Sequence, residues 1–204
     1  MPAPNRLLQA AWELHQFFTE REIPYAIIGG MAVQHWGEPR VTLDIDLTVM
    51  FPHGIAEFVA LVSTRFQIRS ADPVDFARQT RVVLIQTANA VAVDISLGVP
   101  GYEDQVMQRA AEYEIARGKR IRLCSAEDLI IHKAVAGRDK DLADLTRIVQ
   151  KQSDKLDAAY IRHWLGIFAD LLANDEIVAR FERAWRAEKR AAREARQVYR
   201  TRRS

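Results

Sequence analysis

Cys124 is the one cysteine in this 204-residue chain. That excludes a disulfide framework and any multi-cysteine zinc site, and it fits a reducing, cytoplasmic location. His15, His53 and His163 form no ligand spacing with one another, so a zinc site is not expected from them either. No apolar run reaches the roughly 18 residues that a spanning helix needs, so no membrane partner is expected. The start, MPAPNRLLQAAWELHQ, lacks a basic stretch followed by an apolar core, so no signal peptide is expected. There is no internal repeat and no flexible linker. What is present is ordinary for a globular protein: 49% hydrophobic and 27% charged residues. That excludes disordered, collagen-like and mucin-like chains. The length fits one domain, or one domain with a helical extension, and suffices for a core without staples.

The net charge of +2 hides a split. Residues 180–204 hold ten Lys/Arg against three acids, and the other residues hold 19 against 24. The body is mildly acidic and the tail strongly basic.

Periodicity divides the chain in two. Leu7, Leu8, Ala11, Trp12, Leu14 and Phe18 have helical spacing behind a capping Asn5. YAIIGG (25–30) predicts a short buried strand running into paired glycines, and MAVQHW (31–36) a helix opening at them. LDIDLTV (43–49) alternates as a strand does, and residues 55–66 predict an amphipathic helix. The following stretch reads as β-rich. It has a short strand in FQIRS, a hairpin of RVVLIQT and VAVDISL about Ala88-Asn89-Ala90, a short helix after Pro100-Gly101, and a second hairpin at 113–124. From Ser125 the character is helical, with helices over about 125–138, 140–150 and 155–172, and a last one from Asn174-Asp175 to near Thr201. The order predicts an α+β fold with a small mixed sheet and a helical C-terminal half. The expected division is 1–124 for the α/β core and 125–204 for the helical region.

The densest chemical constellation is Gly29-Gly30 followed, after thirteen intervening residues, by Asp44-Ile45-Asp46. Alternate strand residues point the same way, which puts Asp44 and Asp46 on one face, about 6–7 Å apart by strand rise. Two such carboxylates can hold hard divalent cations. Paired glycines at a helix start leave backbone N–H groups open to a phosphate. Asp94 lies in the otherwise apolar VAVDISL, where an unpaired buried carboxylate would be costly. A cation shared with Asp44 and Asp46 explains it. Three carboxylates on neighbouring strands are what two-metal nucleotidyl transfer needs. Singly, each feature has a plainer reading: a tight turn, a solvent-facing strand, a strand-end acid. Arg40 precedes the Asp-x-Asp strand in the loop nearest the proposed cations. It reads either as a phosphate or nucleic-acid contact or as an exposed loop arginine.

YAIIGG…EPRVTLDIDLTV resembles the signature of the polymerase-beta-like nucleotidyltransferase superfamily, and VAVDISLG resembles its third carboxylate strand. SAEDLIIHKAVAGRDKDLADLTRIV resembles the AbiEii-like group within it, which includes toxins of bacterial toxin–antitoxin and abortive-infection systems. The resemblance covers about residues 20–150. It implies that Gly29 and Gly30 contact nucleotide phosphates, and that Asp44, Asp46 and Asp94 bind magnesium, Asp94 also serving as general base. It implies further that Lys133 reaches the triphosphate, that Asp144 sits near the nucleotide or orients Lys133, and that ATP or another triphosphate is the donor. Many members carry serine where this chain has Gly30, so only backbone donors remain there. Read from its own surroundings, Lys133 lies beside an apolar face and is equally a snorkelling surface lysine. Arg138, Lys140, Asp141 and Asp144 then form local ion pairs at a helix turn, Asp141 being structural.

The expected activity is transfer of a nucleoside monophosphate to an acceptor hydroxyl, such as the 3′ end of RNA or transfer RNA, in a toxin role. The competing reading is a non-catalytic nucleotide- or RNA-binding module on the same fold. The basic last helix reads as a solvated helix end, a nucleic-acid contact, or the docking site of an acidic partner such as an antitoxin.

Overall fold

The structure is a computed structural model and describes residues 5–201. The MPAP start, Arg202, Arg203 and the side chains of Arg196 and Arg200 lie outside the described residues. The chain forms two compact units. One comprises the residues through Ala32 together with Arg40–Ser125, and the other Val33–Pro39 together with the residues from Ala126 onward.

In the first unit, the helix Arg6–Thr19 (α1) starts where the Asn5 side chain accepts from the Leu7 amide. It buries Leu7, Ala10, Ala11, Leu14, Phe17 and Phe18. The strand Tyr25–Ile28 (β1) passes directly into the helix Gly29–Trp36 (α2), so both glycines belong to the helix rather than to the strand. Asp44–Val49 (β2) and Ile55–Ser63 (α3) follow. Then come Gln67–Ile68 (β3), Pro73–Thr80 (α4), Val82–Gln86 (β4) and Ala92–Leu97 (β5). Tyr102–Arg109 (α5), Ala111–Ala116 (β6) and Lys119–Leu123 (β7) complete the unit.

The strands form one seven-stranded mixed sheet in the order β3-β4-β5-β2-β1-β7-β6. β2 runs parallel to β5 and antiparallel to β1. Ile45, Leu47, Val93, Ile95, Val83 and Ile85 fill the core side of the central strands. The helix α4 adds to the β-rich reading of this stretch, which assigned no element to residues 73–80. Asp72 caps it by accepting from the Asp75 amide, and Pro73 occupies its first turn. Its apolar stripe is too short to register as periodicity, since Ala77 alone is buried.

The second unit holds the helices Ala126–Ala136 (α6), Asp139–Gln152 (α7), Ala158–Leu172 (α8) and Glu176–Thr201 (α9). Residues 33–39 belong here because α7 holds their main chain. Lys151 donates to the carbonyls of His35 (3.0 Å) and Gly37 (2.7 Å), and Gln152 to that of Trp36 (2.7 Å). Apart from this excursion, the second unit begins at Ala126.

Candidate active site

Alternation along β2 buries Ile45 and Leu47 and turns Asp44 and Asp46 to the opposite face. The parallel register sets Asp46 directly beside Asp94 and Asp44 beside Ala92. Neighbouring strands are about 4.8 Å apart, so Asp44, Asp46 and Asp94 share one patch of one face. The premise that Asp94 is a buried acid is corrected. Along β5, Val93, Ile95 and Leu97 face the core, while the Asp94 side chain is 45% exposed. Its partner is Arg69, whose Nη2 donates to Oδ1. Asp44 is partnered as well: the Thr42 hydroxyl donates to its Oδ1 at 2.8 Å.

The glycines fit this patch closely. Ile28 pairs with Asp46 across β1 and β2, which brings the next residue over the carboxylate. A Cβ on Gly29 would lie 1.9 Å from Asp46 Oδ2, and its φ of +60° is left-handed. A Cβ on Gly30 would lie 2.3 Å from the Thr42 hydroxyl oxygen. The space that a side chain at position 30 would need is thus taken by the hydroxyl that braces Asp44. The first amides of α2 start beside the carboxylate face, where a phosphate could approach.

Among the described residues no three carboxylate, imidazole or thiolate groups already converge as a metal ligand set. Asp44 and Asp94 are engaged by Thr42 and Arg69 instead. The chemistry of the donors nevertheless fits a hard divalent cation. They are three carboxylates on one face of adjacent strands, without thiolate or imidazole among them. Arg40 is partly exposed in the preceding loop, with Nη1 donating to the Val41 carbonyl at 3.3 Å.

The second cluster is built wholly inside the other unit. Lys133 does not snorkel: its side chain is 7% exposed, and Nζ lies 2.8 Å from Asp141 Oδ1 and 3.0 Å from Asp144 Oδ2. Arg138 closes the set through Nε, 2.5 Å from Asp141 Oδ2. Ion pairs do form at this helix turn, but those of Lys133 are buried, with both aspartates out of solvent, while the Arg138 side chain stays mostly exposed. Burial by itself raises the Asp141 carboxyl, but hydrogen bonds from Arg138 and Lys133 outweigh it and hold the group below the ordinary carboxylate range. The neighbouring His132 is half-buried, with Nε2 out of solvent, and desolvation pushes its imidazole below its ordinary value. Asp128 accepts from the Tyr160 hydroxyl at 2.7 Å, which ties α6 to α8.

Two residues of the carboxylate face escaped sequence reasoning. Thr42 carries a usable signal, because it precedes Asp44 by two positions and so shares its side of an extended chain. Arg69 carries none, because only the pairing of β3, β4 and β5 brings it to Asp94.

The sheet order, the glycine-started helix and the Asp-x-Asp strand define a polymerase-beta-like nucleotidyltransferase fold. The chain is similar to ANT(2")-Ia, solved in complex with adenylyl-2"-tobramycin, at 17% identity and a TM-score of 0.54, over 82% of this chain and 99% of that one. It is also similar to an antigenic nucleotidyltransferase-like protein from Paracoccidioides brasiliensis, at 16% identity and a TM-score of 0.51, over 88% and 94% of the two chains. At these identities the likeness is one of fold. No curated protein matches the chain. A family model described as "Nucleotidyl transferase of unknown function (DUF2204)" matches residues 8–180. The chain belongs to that family and is a nucleotidyltransferase. The match agrees with the superfamily resemblance of the Gly-Gly and Asp-x-Asp segments; the family is not described as AbiEii-like.

Proposed function

We propose that this enzyme moves a nucleoside monophosphate from a nucleoside triphosphate, ATP among the candidates, to an acceptor hydroxyl, with magnesium held by Asp44, Asp46 and Asp94. The observation that carries this reading is the single face shared by those carboxylates, with the Gly29 backbone against Asp46. The Gly29 and Gly30 amides would bind the phosphates, in a space where no side chain fits. Bound divalent cations would neutralise the triphosphate and acidify the acceptor hydroxyl. The acceptor oxygen attacks the α-phosphorus, and the bond from that phosphorus to the bridging oxygen breaks. Pyrophosphate leaves, and the acceptor proton passes to the Asp94 carboxylate.

The acceptor we propose is the 3′ end of an RNA, transfer RNA included, acting within a toxin–antitoxin pair. Support comes from the resemblance of residues 125–149 to toxin-type enzymes and from the exposed Arg190 and Arg193 on α9, which suit a polyanion or an acidic partner. Other cations of that helix are already engaged locally. Arg183 pairs with Glu176, Lys189 with Asp154, and Arg180 donates to the Ala134 carbonyl at 2.7 Å. In contrast, a neighbour in fold was solved with an adenylylated aminoglycoside, so small-molecule hydroxyls belong in the same experiment. The protein is incubated with each labelled triphosphate, magnesium, and either total RNA or an aminoglycoside panel. Magnesium-dependent label on RNA, absent with Asp46→Asn, is the expected result. Label on small molecules alone would overturn the RNA acceptor. No label on any acceptor would favour a non-catalytic binding module, in which Asp44→Ala and Asp46→Ala leave binding unchanged.

A further inference from the structure

Arg69 is held in place on three sides. Its own amide donates to the Leu84 carbonyl at 2.9 Å, and Leu84 is the register partner of Asp94 across β4 and β5. Its Nε donates to the Ile85 carbonyl at 2.8 Å, and Nη2 to the Val93 carbonyl at 3.3 Å. Ile85 and Val93 face each other in the same register. The guanidinium therefore lies across one rung of the ladder, next to the rung that carries Asp94, with its side chain 28% exposed. From there Nη2 reaches Asp94 Oδ1.

An ordinary surface ion pair joins two mobile side chains and contributes little. Here the main chain of β4 and β5 fixes the cation, so the carboxylate is what gets oriented. The bond engages Oδ1 and leaves Oδ2 as the acceptor. The positive charge also offsets repulsion among three acids on one face before any cation arrives.

We infer that Arg69 is a positioning residue: it fixes Asp94 through one oxygen so that the other is presented to the acceptor hydroxyl and the divalent cation. This rests on the nucleotidyl-transfer reading above. No other residue of the sheet is needed for the inference, and the plain alternative is that Arg69 merely fastens the edge strand β3 to the sheet.

The test uses the full chain with Arg69→Met, Arg69→Lys, Asp94→Asn and the double variant Arg69→Met/Asp94→Asn. Melting temperatures are measured in EDTA, and kcat and KM for the triphosphate in magnesium. In EDTA, Arg69→Met should lower the melting temperature of the wild-type protein by a few degrees. It should lower that of Asp94→Asn by less than about half as much, the signature of two residues that interact directly. In magnesium, Arg69→Met should reduce kcat at least about tenfold while KM changes less than about threefold. Arg69→Lys should restore kcat only in part, because a single ammonium cannot hold two carbonyls and a carboxylate in one plane. Should Arg69→Met not fold, Arg69→Gln replaces it in every arm. Additive melting shifts would overturn the inference. So would coupled shifts with an unchanged kcat, which would leave Arg69 a fastening for β3. If the wild-type protein transfers no nucleotide to any acceptor, it is the underlying reading that fails. If it transfers and Arg69→Met is equally fast, the positioning inference alone fails.

Discussion

At Gly29 backbone conformation and function meet in one atom that is missing. A methyl group there would sit 1.9 Å from Asp46 Oδ2, on a residue whose φ is +60°. The left-handed conformation alone costs an alanine about 1–2 kcal/mol, and the clash adds to it by driving the Asp46 carboxylate from its place. Gly29→Ala is therefore expected to lose both stability, read by urea unfolding, and nucleotide transfer. Normal transfer with only a stability loss would mean that the Asp46 side chain can move without consequence. Much at this scale was legible in the sequence. Period-two alternation is enough to put Asp44 and Asp46 on one face, and the paired glycines mark the helix start. The surroundings of Asp94 were not legible. An acid among Val91, Val93, Ile95 and Leu97 looks buried, but the same alternation that buries those four leaves Asp94 on the other, half-open face. Arg69 was hidden for a stronger reason: a side chain's partner across a sheet depends on strand register, which no local pattern encodes.

At the scale of elements, the pairing of α6 with α7 depends on buried charge. Lys133 stands between Asp141 and Asp144 with almost no access to solvent. Removing the ammonium would leave two carboxylates buried without it, a change that typically costs about 3–5 kcal/mol. Lys133→Met should show that loss in chemical denaturation at neutral pH. A cost under about 1 kcal/mol, the range of an exposed pair, would contradict the buried geometry. One residue earlier on α6, His132 gives a pH dependence. Burial, the largest influence, lowers its folded value; Asp128 raises it and Lys133 lowers it. A folded value below the unfolded one, about 6.5, means that the unfolded chain takes up the proton first. The contribution of the neutral imidazole is then complete above about pH 6.5 and is lost as the pH falls towards the folded value. Stability should decline as the pH falls below about 6.5 towards the folded value, and His132→Gln should flatten that slope. Equal slopes for the two proteins would show that the histidine is accessible when folded. Sequence pattern located α6 and α7 but left Lys133 open between a triphosphate contact and a snorkelling surface lysine, because spacing along a helix does not reveal what packs over it. The helix α4 was missed for the converse reason: it buries too little to leave an apolar period.

For the whole molecule, the modest net charge of +2 conceals a carboxylate face in one unit and a basic helix in the other. The order of strands and helices, and the change of character near residue 125, could be read from alternation, turn residues and caps. The assignment of residues 33–39 to the helical unit could not, since it depends on hydrogen bonds to Lys151 and Gln152 more than a hundred residues away. The central claim is that Asp44, Asp46 and Asp94 form a cation-dependent centre for nucleotidyl transfer. It is tested most directly by measuring transfer of label from α-labelled triphosphates, in magnesium and in EDTA, by the wild-type protein and by Asp46→Asn. Label transferred by the wild-type protein in magnesium, lost in EDTA, and reduced at least about a thousandfold in a folded Asp46→Asn variant is the result this account predicts. Equal transfer by Asp46→Asn and the wild-type protein would contradict it.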